Sequence, residues 1–405
     1  MGDRRLKKTP MTREYSLDRK LLGENTMETR KLAFFCWESM YAERVGGLAS
    51  AATNLAETLA KQHEVHYFTR GSVADQVINN VRYHYCQPQG CNTVSYCDDM
   101  SNRMVDQFTK EDMKGKFDIL HFHDWHPVQA LHRLQDRDTI LTFHSTEFGR
   151  NGNQHGDWWE YREVSGKEWY GSYIAKRLTT VSATTKHEIM QLYNVPDWKC
   201  DVVPNGVVPR KYCSSIDPGE VKRSYGIHPY APLVLFIGRL AYQKGPDIFI
   251  EALRTVHAHR WDIKAVIAGD GGMRQHLVER ACGLPVSFTG YIPDTEYLRL
   301  LNAADIVVIP SRNEPFGLVL LEAWSAAKAV VASDVGGLGE NIDPFFDGIK
   351  VMPDADSLAW GINHLLDDPD KAGTFGSRGR SKVGRSFLWE PIGHRMVRTY
   401  SQVSG

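Results

Sequence analysis

The segment IVVIPSRNEPFGLVLLEAWSAAKAVVASDVGGLGE occupies residues 306–340 and contains one complete strand–helix–strand unit. The apolar runs 306–310 and 329–333 have strand length, and residues 315–317 open a helix between them. Both runs are apolar throughout, which is typical of strands that are buried on both faces. The unit therefore predicts two parallel strands joined by a crossover helix.

The same alternation of strands and helices extends along most of the chain. Further strand-like runs lie at 31–36, 64–69, 117–121, 139–143, 178–182, 201–203, 233–237, 264–268 and 286–289. Residues 204–232 interrupt the rhythm with PNG at 204–206, DPG at 217–219 and further prolines, which is typical of an interdomain linker. The pattern predicts two α/β domains with doubly wound parallel sheets, whose carboxyl strand ends face one cleft.

The composition excludes several classes of protein. Hydrophobic residues make up 42% and charged residues 24%, which predicts a globular protein with a large core. The 48 Lys and Arg residues are balanced by 49 Asp and Glu residues, so nucleic-acid binding through a general positive field is not expected. Seven cysteines, an odd number without a zinc-like spacing, favour a reducing compartment. No membrane span or signal peptide is indicated, and residues 1–30 are expected to be a mobile tail on a cytoplasmic protein.

Two loops of the second domain contain candidate ligands for a nucleotide sugar. Glu314 precedes a predicted helix, and Glu322 lies within it. The first N–H groups of this helix, near residues 316–319, would bind an anion. Carboxylates accept paired sugar hydroxyls, so Glu314 could bind a hexose and Glu322 a ribose. In FIGRLAYQKGPD, residues 236–247, Arg239 and Lys244 could neutralise a diphosphate without a metal. Taken alone, the same residues would also fit solvated loop cations and ordinary structural carboxylates.

The first domain has two informative segments. In ERVGGL, residues 43–48, the glycines would let the backbone approach a phosphate at the start of a helix, although the full dinucleotide and P-loop fingerprints are absent. HFHDWHP at 121–127 and TFHSTEFGR at 142–150 both follow strands. Their histidines invite a metal hypothesis, but no metal-binding helix motif accompanies them, and we expect a cleft lining that hydrogen-bonds sugar.

As a set, these segments resemble the retaining nucleotide-sugar glycosyltransferases of family 4, which have the GT-B fold. The resemblance covers about residues 30–400 and rests on EPFGLVLLEAW, with its two glutamates eight positions apart, on GRLAYQKG and on VGGLGE. HFHDWH and ERVGGL are similar to the glycogen and starch synthase branch. Two departures are RVGGL at 44–48, where the family has a lysine first, and PNGVV at 204–208, where it has a final aspartate.

The resemblance implies an arrangement of domains and a set of site residues. It implies an acceptor-side Rossmann-like domain at 31–215, a donor-binding domain at 216–387 and a crossover helix at about 388–405. Catalytic roles are implied for His144 at the anomeric carbon, Arg239 and Lys244 at the diphosphate, and Glu314 at the donor sugar. The implied donor-binding residues are Arg44, Gly46, Gly47, Gly238, Phe316, Gly317, Leu318, Val319 and Glu322. Those expected to line the acceptor side are His123, Asp124, Trp125 and Glu147.

The activity implied by the resemblance is the retaining transfer of a hexosyl group, with glucosyl first among the candidates. The donor would be a UDP- or ADP-sugar and the acceptor a hydroxyl of a sugar or glycan, without metal or cofactor. Three alternatives stay open: a nucleotide-sugar 2-epimerase, a phosphorylase, and a non-catalytic protein that binds sugar nucleotides. The presence of Arg239, Lys244 and Glu314 together argues against the last of these.

Overall fold

The structure is a computed structural model that describes residues 29–403. The predicted tail, residues 1–30, lies outside the described residues except for its last two positions. The described chain forms two sheets, one from its N-terminal half and one from its C-terminal half. None of the helices within residues 29–403 has both the length and the apolar character needed to cross a membrane.

Eight strands form the first sheet, and six helices lie in the connections between and after them. The strands are β1 (Lys31–Phe35), β2 (Glu64–Arg70), β3 (Gln76–Ile78), β4 (Val81–Cys86), β5 (Ile119–His123), β6 (Thr139–Phe143), β7 (Arg177–Thr180) and β8 (Cys200–Val202). The helices are α1 (Gly47–Leu59), α2 (Thr93–Asp112), α3 (Val128–Arg133), α4 (Glu147–Arg150), α5 (Trp159–Ile174) and α6 (Ala183–Tyr193). The order is β3-β4-β2-β1-β5-β6-β7-β8, parallel except for the β3–β4 pair.

The second sheet is parallel throughout. Its strands are β9 (Leu233–Ile237), β10 (Lys264–Ala268), β11 (Val286–Gly290), β12 (Ile306–Ile309), β13 (Ala329–Ser333) and β14 (Ile349–Val351). The remaining helices are α7 (Pro218–Ser224), α8 (Pro246–His259), α9 (Arg274–Arg280), α10 (Asp294–Ala303), α11 (Leu318–Ser325), α12 (Gly336–Asn341), α13 (Ala355–Leu366), α14 (Pro369–Ser386) and α15 (Trp389–Ser401). The strand order is β11-β10-β9-β12-β13-β14, so successive strands are added on one side of β9 and then, from β12 onward, on its other side. The loops that follow β9 and β12 therefore adjoin a crevice.

Both faces of each sheet are buried, as the apolar strands require. In β1, Leu32 and Phe34 point into a core with α1, whereas Ala33 and Phe35 point into a core with α2. The last helix, α15, leaves the second domain and packs into the first of these cores through Ile392 and other apolar side chains. The described residues therefore end on the domain in which they begin.

The predicted fold class of two Rossmann-like domains is confirmed. Four predicted strands, at 139–143, 233–237, 264–268 and 329–333, have the bounds found in the structure. The predicted strand at 117–121 lies two residues later, at β5. The sequence analysis missed β3, β4 and β14. Strands β3 and β14 are only three residues long. Strand β4 contains an exposed Arg82 and the sequence Tyr-His-Tyr in place of an aliphatic run.

Candidate active site

The loops that follow β9 and β12 meet at the carboxyl edge of the second sheet. After β9 the chain makes a turn at Tyr242–Lys244 and enters α8 through Gly245, which has a left-handed φ of 64°. A Cβ atom on Gly245 would lie 2.0 Å from the carbonyl oxygen of Pro310, so only glycine allows this close approach. The contact brings Lys244 beside the residues that follow β12.

Lys244 and Glu314 form an ion pair at this edge. Lys244 Nζ lies 2.7 Å from Glu314 Oε2, and the Ser311 hydroxyl donates to the same oxygen at 3.3 Å. The carboxylate side chain is 11% exposed and the lysine side chain 25% exposed, so the pair faces the cleft from a largely buried position. The backbone of Glu314 is also fixed, because its carbonyl oxygen accepts from the N–H of Gly337. The sequence suggested two separate ligands, and the structure makes them one unit.

A second ion pair holds the same two loops together. The Arg312 guanidinium donates to both carboxylate oxygens of Asp247 at 2.8 and 2.7 Å and covers the ring of Tyr242. Bidentate geometry of this kind fixes orientation as well as distance. Arg239, which follows Gly238 at the end of β9, is exposed and has no ion-pair partner among residues 29–403. Its guanidinium is therefore available to a ligand.

The first turns of α1 and α11 face each other across the cleft. A Cβ atom on Gly47, the first residue of α1, would lie 2.8 Å from Leu318 Cδ1, at the first residue of α11. The leading N–H groups of a helix have no intrahelical partner, and its positive dipole end attracts anions. Gly317 caps α11 with a left-handed φ of 96°, ahead of Leu318 and Val319. Phe316 contributes backbone only, since its side chain is buried in the core.

The loop before α1 is built around a carboxylate that the sequence analysis did not single out. Glu38 is buried, and its Oε2 accepts hydrogen bonds from the N–H groups of Val45 and Gly46. Burial raises the pKa of the Glu38 carboxyl. The N–H of Gly46 is therefore already bound, and the packing of Gly46 against phosphate stays a prediction. The only sequence signal for Glu38 is an acid shortly after a buried strand.

Arg44, which is predicted to bind the donor, is bonded to the opposite domain in this structure. Its Nη1 donates to Asp294 at 3.0 and 3.2 Å, and the ammonium of Lys211 lies 3.8 Å from the same carboxylate. Asp294 is the first residue of α10, where a carboxylate also complements the helix dipole. Arg44 therefore joins the two domains at the edge of the cleft, and no phosphate ligand is needed to place it.

Glu322 lies one turn into α11 and is held by two tyrosines. Tyr212 donates its hydroxyl to Oε1 at 3.0 Å, and Tyr297 donates its hydroxyl to Oε2. Burial raises the pKa of this carboxyl, while the two tyrosine hydrogen bonds favour its ionised form. Each ionised oxygen has a further lone pair, so a diol could be accepted beside the tyrosines.

His144 follows β6 and is positioned by two residues from the loop after β5. The backbone N–H of His144 donates to Asp124 Oδ1 at 2.6 Å, and the ring Nε2 of His144 lies 3.0 Å from His123 Nδ1. Asp124 has a left-handed φ of 57°, which turns its carboxylate toward the His144 backbone. The partly exposed His144 is therefore held by two buried residues, His123 and Asp124.

Three of the residues predicted to line the acceptor side are buried. His123, Asp124 and Trp125 are 0%, 4% and 5% exposed, and Trp125 packs in a small core with Val164. The strand end folds beneath the His144 loop, and the contact of these three residues with sugar stays a prediction. The fourth, Glu147, is partly exposed, and its carboxylate pairs with Arg150 at 2.9 Å.

Family models match both halves of the chain. Glycosyl transferases group 1 matches residues 219–382, and Glycosyltransferase Family 4 matches residues 45–211. An uncharacterised glycosyltransferase of Methanocaldococcus jannaschii is 34% identical over 91% of this chain and 97% of its own length. The chain belongs to the glycosyltransferases. A glycogen synthase of Mycobacterium tuberculosis is 31% identical over 71% of this glycosyltransferase and 70% of its own length.

Solved structures confirm the GT-B fold of the glycosyltransferase. A sucrose-phosphate synthase from Thermosynechococcus elongatus has a TM-score of 0.76 and 24% identity, with 92% of this chain and 99% of that chain covered. The catalytic domain of starch synthase IV from Arabidopsis thaliana, bound to ADP and acarbose, has a TM-score of 0.74 and 15% identity, with 93% and 100% covered. The resemblance drawn from the sequence is therefore confirmed at the level of family and fold.

Beneath the acceptor side, the glycosyltransferase has a buried network that its sequence did not reveal. Glu168 is 0% exposed, pairs with Arg150 at 2.5 Å and accepts from the N–H of Glu147 and the hydroxyl of Tyr193. Breaking a buried pair by removing one partner leaves an uncompensated charge. Glu168 thus fixes α4, which begins three residues after His144.

The burial of His144 and His123 predicts how the activity depends on pH. Burial lowers the pKa of His144 from its ordinary value of 6.5 and lowers that of His123 well below it. A lowered histidine pKa keeps the ring neutral at pH values where an exposed histidine is half protonated, so the plateau of kcat/KM should extend below pH 6.5. A pH–rate profile checks this, with exposed His132→Gln as the control. An acid limb centred at or above pH 6.5 that disappears in His144→Gln would contradict the prediction.

Proposed function

We propose that this glycosyltransferase transfers a hexosyl group, with glucosyl the first candidate, from a UDP- or ADP-sugar to a hydroxyl of a sugar or glycan, with retention of configuration. The observation that carries the proposal is the meeting of two helix N-termini, at Gly47 and at Leu318, the latter in a domain whose strand-end loops also carry the Lys244–Glu314 pair and Arg239, which has no ion-pair partner within residues 29–403. Two positive helix ends and two cations suit a diphosphate, which carries the charge of the donor.

The reaction separates charge between the sugar and its leaving group. As the nucleoside diphosphate leaves, negative charge grows on the phosphate next to the sugar, and the sugar becomes oxocarbenium-like. The first turn of α11 and the ammonium of Lys244 are fixed before the reaction, so they would stabilise this charge without reorganisation, and the exposed Arg239 would add a further positive charge. Glu314 Oε2 is occupied by Lys244, which leaves Oε1 for hydroxyls of the donor sugar.

On the other side of the cleft, His144 is proposed to contact the transferred sugar. Its neutral ring would hydrogen-bond a sugar hydroxyl, and its carbonyl oxygen would face the anomeric centre, as the family resemblance implies. The rigid support from His123 and Asp124 favours such a role, because a positioning error of about 1 Å can reduce rates 10²-fold. Closure of the cleft would exclude water that could otherwise hydrolyse the donor.

The identity of the relatives supports the donor and acceptor classes. The similar glycogen synthase is named for glucan synthesis, and the starch synthase structure holds ADP and acarbose. These names favour a glucosyl donor and a sugar acceptor for this chain as well. The decisive experiment incubates the enzyme with a panel of UDP-, ADP- and GDP-sugars and candidate acceptors, and assigns the anomeric configuration of each product by NMR coupling constants.

The same panel distinguishes the alternatives. A product with the donor's anomeric configuration supports the proposal, whereas inverted configuration contradicts retention. Conversion of the donor sugar without any acceptor would indicate an epimerase, and release of sugar 1-phosphate that requires inorganic phosphate would indicate a phosphorylase. Tight donor binding without turnover across the panel would indicate a binding protein.

We expect donor turnover without an added divalent metal ion. Arg239, Lys244 and the helix N-termini supply the positive charge that a metal would otherwise provide at the diphosphate. The measurement is acceptor-dependent release of nucleoside diphosphate in chelator-treated enzyme and buffer, against the same enzyme with magnesium or manganese. Loss of activity that either of these ions restores would contradict the prediction.

A further inference from the structure

A pair of histidines lies at the opposite end of the first domain from the cleft. His66 on β2 and His84 on β4 face each other, with His66 Nδ1 2.9 Å from His84 Nε2. The outer nitrogen of each ring is held by a carboxylate: His66 Nε2 lies 3.0 Å from Glu64, and His84 Nδ1 lies 2.9 Å from Asp75. His66 is completely buried, and His84 is 9% exposed.

Counting protons shows that this arrangement is incomplete. The two outer contacts each need an N–H that donates to a carboxylate, which uses the single proton of each neutral imidazole. Both inner nitrogens, His66 Nδ1 and His84 Nε2, then present lone pairs to each other at 2.9 Å. With both outer N–H groups donating, the two facing lone pairs fit a cation between them, either one extra proton or a metal ion. An extra proton would place a full charge on two rings that pack against aromatic side chains, His84 stacked on Phe68 and His66 edge-on to Phe117.

Helix α2 provides a third candidate ligand, a carboxylate oxygen. One ring nitrogen of each histidine and a carboxylate oxygen of Glu111 all lie within 4.8 Å of one another. Glu111 now pairs with Lys114, whose side chain is 69% exposed, and exposed pairs of this kind contribute little. Lys31 Nζ donates to the carbonyl oxygens of Gly115, at 2.8 Å, and of Glu111, at 3.4 Å, and lies 3.9 Å from Glu64 Oε1, so it does not pair with the Glu111 carboxylate. Glu111 is therefore able to turn toward the histidines.

We propose that His66, His84 and Glu111 bind a zinc ion, with Glu64 and Asp75 as outer partners of the two rings. Two imidazole nitrogens and one carboxylate are a common zinc ligand set, with the fourth position open to water. Metal-binding histidines usually donate their other N–H to a carboxylate, as both of these do. Tetrahedral zinc would widen the nitrogen separation to about 3.3 Å, a small change.

The position of the site gives it a structural role rather than a part in transfer. His66 is the third residue of β2, and Glu111 is the penultimate residue of α2, so both lie toward the amino edge of the sheet. The cleft is at the carboxyl edge. A zinc ion would join β2, β4 and the end of α2, which are separated by long stretches of chain. Binding only to the folded state would raise the thermal stability of the enzyme.

The test is zinc binding by the full chain after any affinity tag is removed. We expect one zinc per chain by elemental analysis after dialysis, and two imidazole nitrogens in the X-ray absorption spectrum of the zinc. His84→Gln should abolish this binding, Glu111→Gln should weaken it at least tenfold, and Asp75→Asn should weaken it about 10- to 100-fold. His259→Gln, at an exposed histidine on α8, is the matched control and should bind as wild type does.

Two results would overturn the proposal. One is wild-type enzyme that retains far less than one zinc per chain, which would assign the histidine pair to a shared proton. The other is a folded His84→Gln enzyme, checked by circular dichroism, with wild-type zinc affinity. If His84→Gln does not fold, the wild-type absorption spectrum decides: fewer than two imidazole ligands on the bound zinc would also overturn it.

Discussion

Lys244→Ala should lower kcat by about 10²- to 10³-fold, while the KM for the donor changes much less. The ammonium is fixed 2.7 Å from Glu314, at the edge where the diphosphate is proposed to leave. Because leaving-group charge grows along the reaction, the interaction strengthens toward the transition state, and such interactions act on kcat. In the proposed complex Arg239 would still anchor the resting diphosphate of the variant, so the ground-state complex should stay nearly intact.

The ion pair adds a second effect to this loss. Without Lys244, the largely buried carboxylate of Glu314 would have no cationic partner and would repel the departing diphosphate. Lys244→Ala/Glu314→Gln should therefore recover part of the stability lost in the single variant but not its kcat. Lys244→Arg should rescue poorly, since a planar guanidinium cannot replace a compact ammonium at one fixed point.

Steady-state release of nucleoside diphosphate at saturating donor and acceptor measures the effect. Lys371→Ala is a suitable control, because Lys371 also pairs with a carboxylate in the second domain but on the surface, 3.2 Å from Asp368. It should leave kcat unchanged. A Lys244→Ala enzyme with kcat within a few-fold of wild type would withdraw the assignment of this loop to the donor site.

The sequence predicted the strands of both sheets well where they are apolar and lie inside a sheet. Residues buried on both faces must be apolar throughout, so a run such as 233–237 is unambiguous. The loop motifs could also be placed, since parallel strands put their following loops at one edge. Short edge strands such as β14 carry little of this signal, because one side of the strand has no neighbour to pack against.

What the sequence could not predict is which polar residues meet. Lys244 and Glu314 are 70 positions apart, and their contact depends on Gly245 approaching Pro310. Burial of Asp124 beneath His144 likewise depends on how two neighbouring strand ends fold over each other. A sequence motif indicates which residue types lie near a site. Only the packing of the chain distinguishes the residues that can contact a substrate from those that hold them in position.

Glu322→Ala should weaken the binding of nucleoside diphosphates about 10- to 150-fold, which corresponds to losing roughly 1.5–3 kcal/mol from charge-assisted hydrogen bonds. If the carboxylate accepts both ribose hydroxyls, this loss should appear as a higher KM for the donor, with kcat at saturating donor little changed. Calorimetric titration with UDP and ADP measures the affinity directly.

A comparison of nucleotides identifies the contact itself. The wild-type enzyme should prefer UDP over 2′-deoxy-UDP, and Glu322→Ala should bind the two equally, because the group that distinguishes them is gone. Tyr212→Phe and Tyr297→Phe are the matched controls, since each removes one hydroxyl that donates to Glu322 but leaves its charge. Each carboxylate oxygen then keeps a lone pair for ribose, so both variants should retain the preference for UDP. A preference for UDP that survives in Glu322→Ala would place ribose recognition elsewhere, and would leave Glu322 as the partner of its two tyrosines.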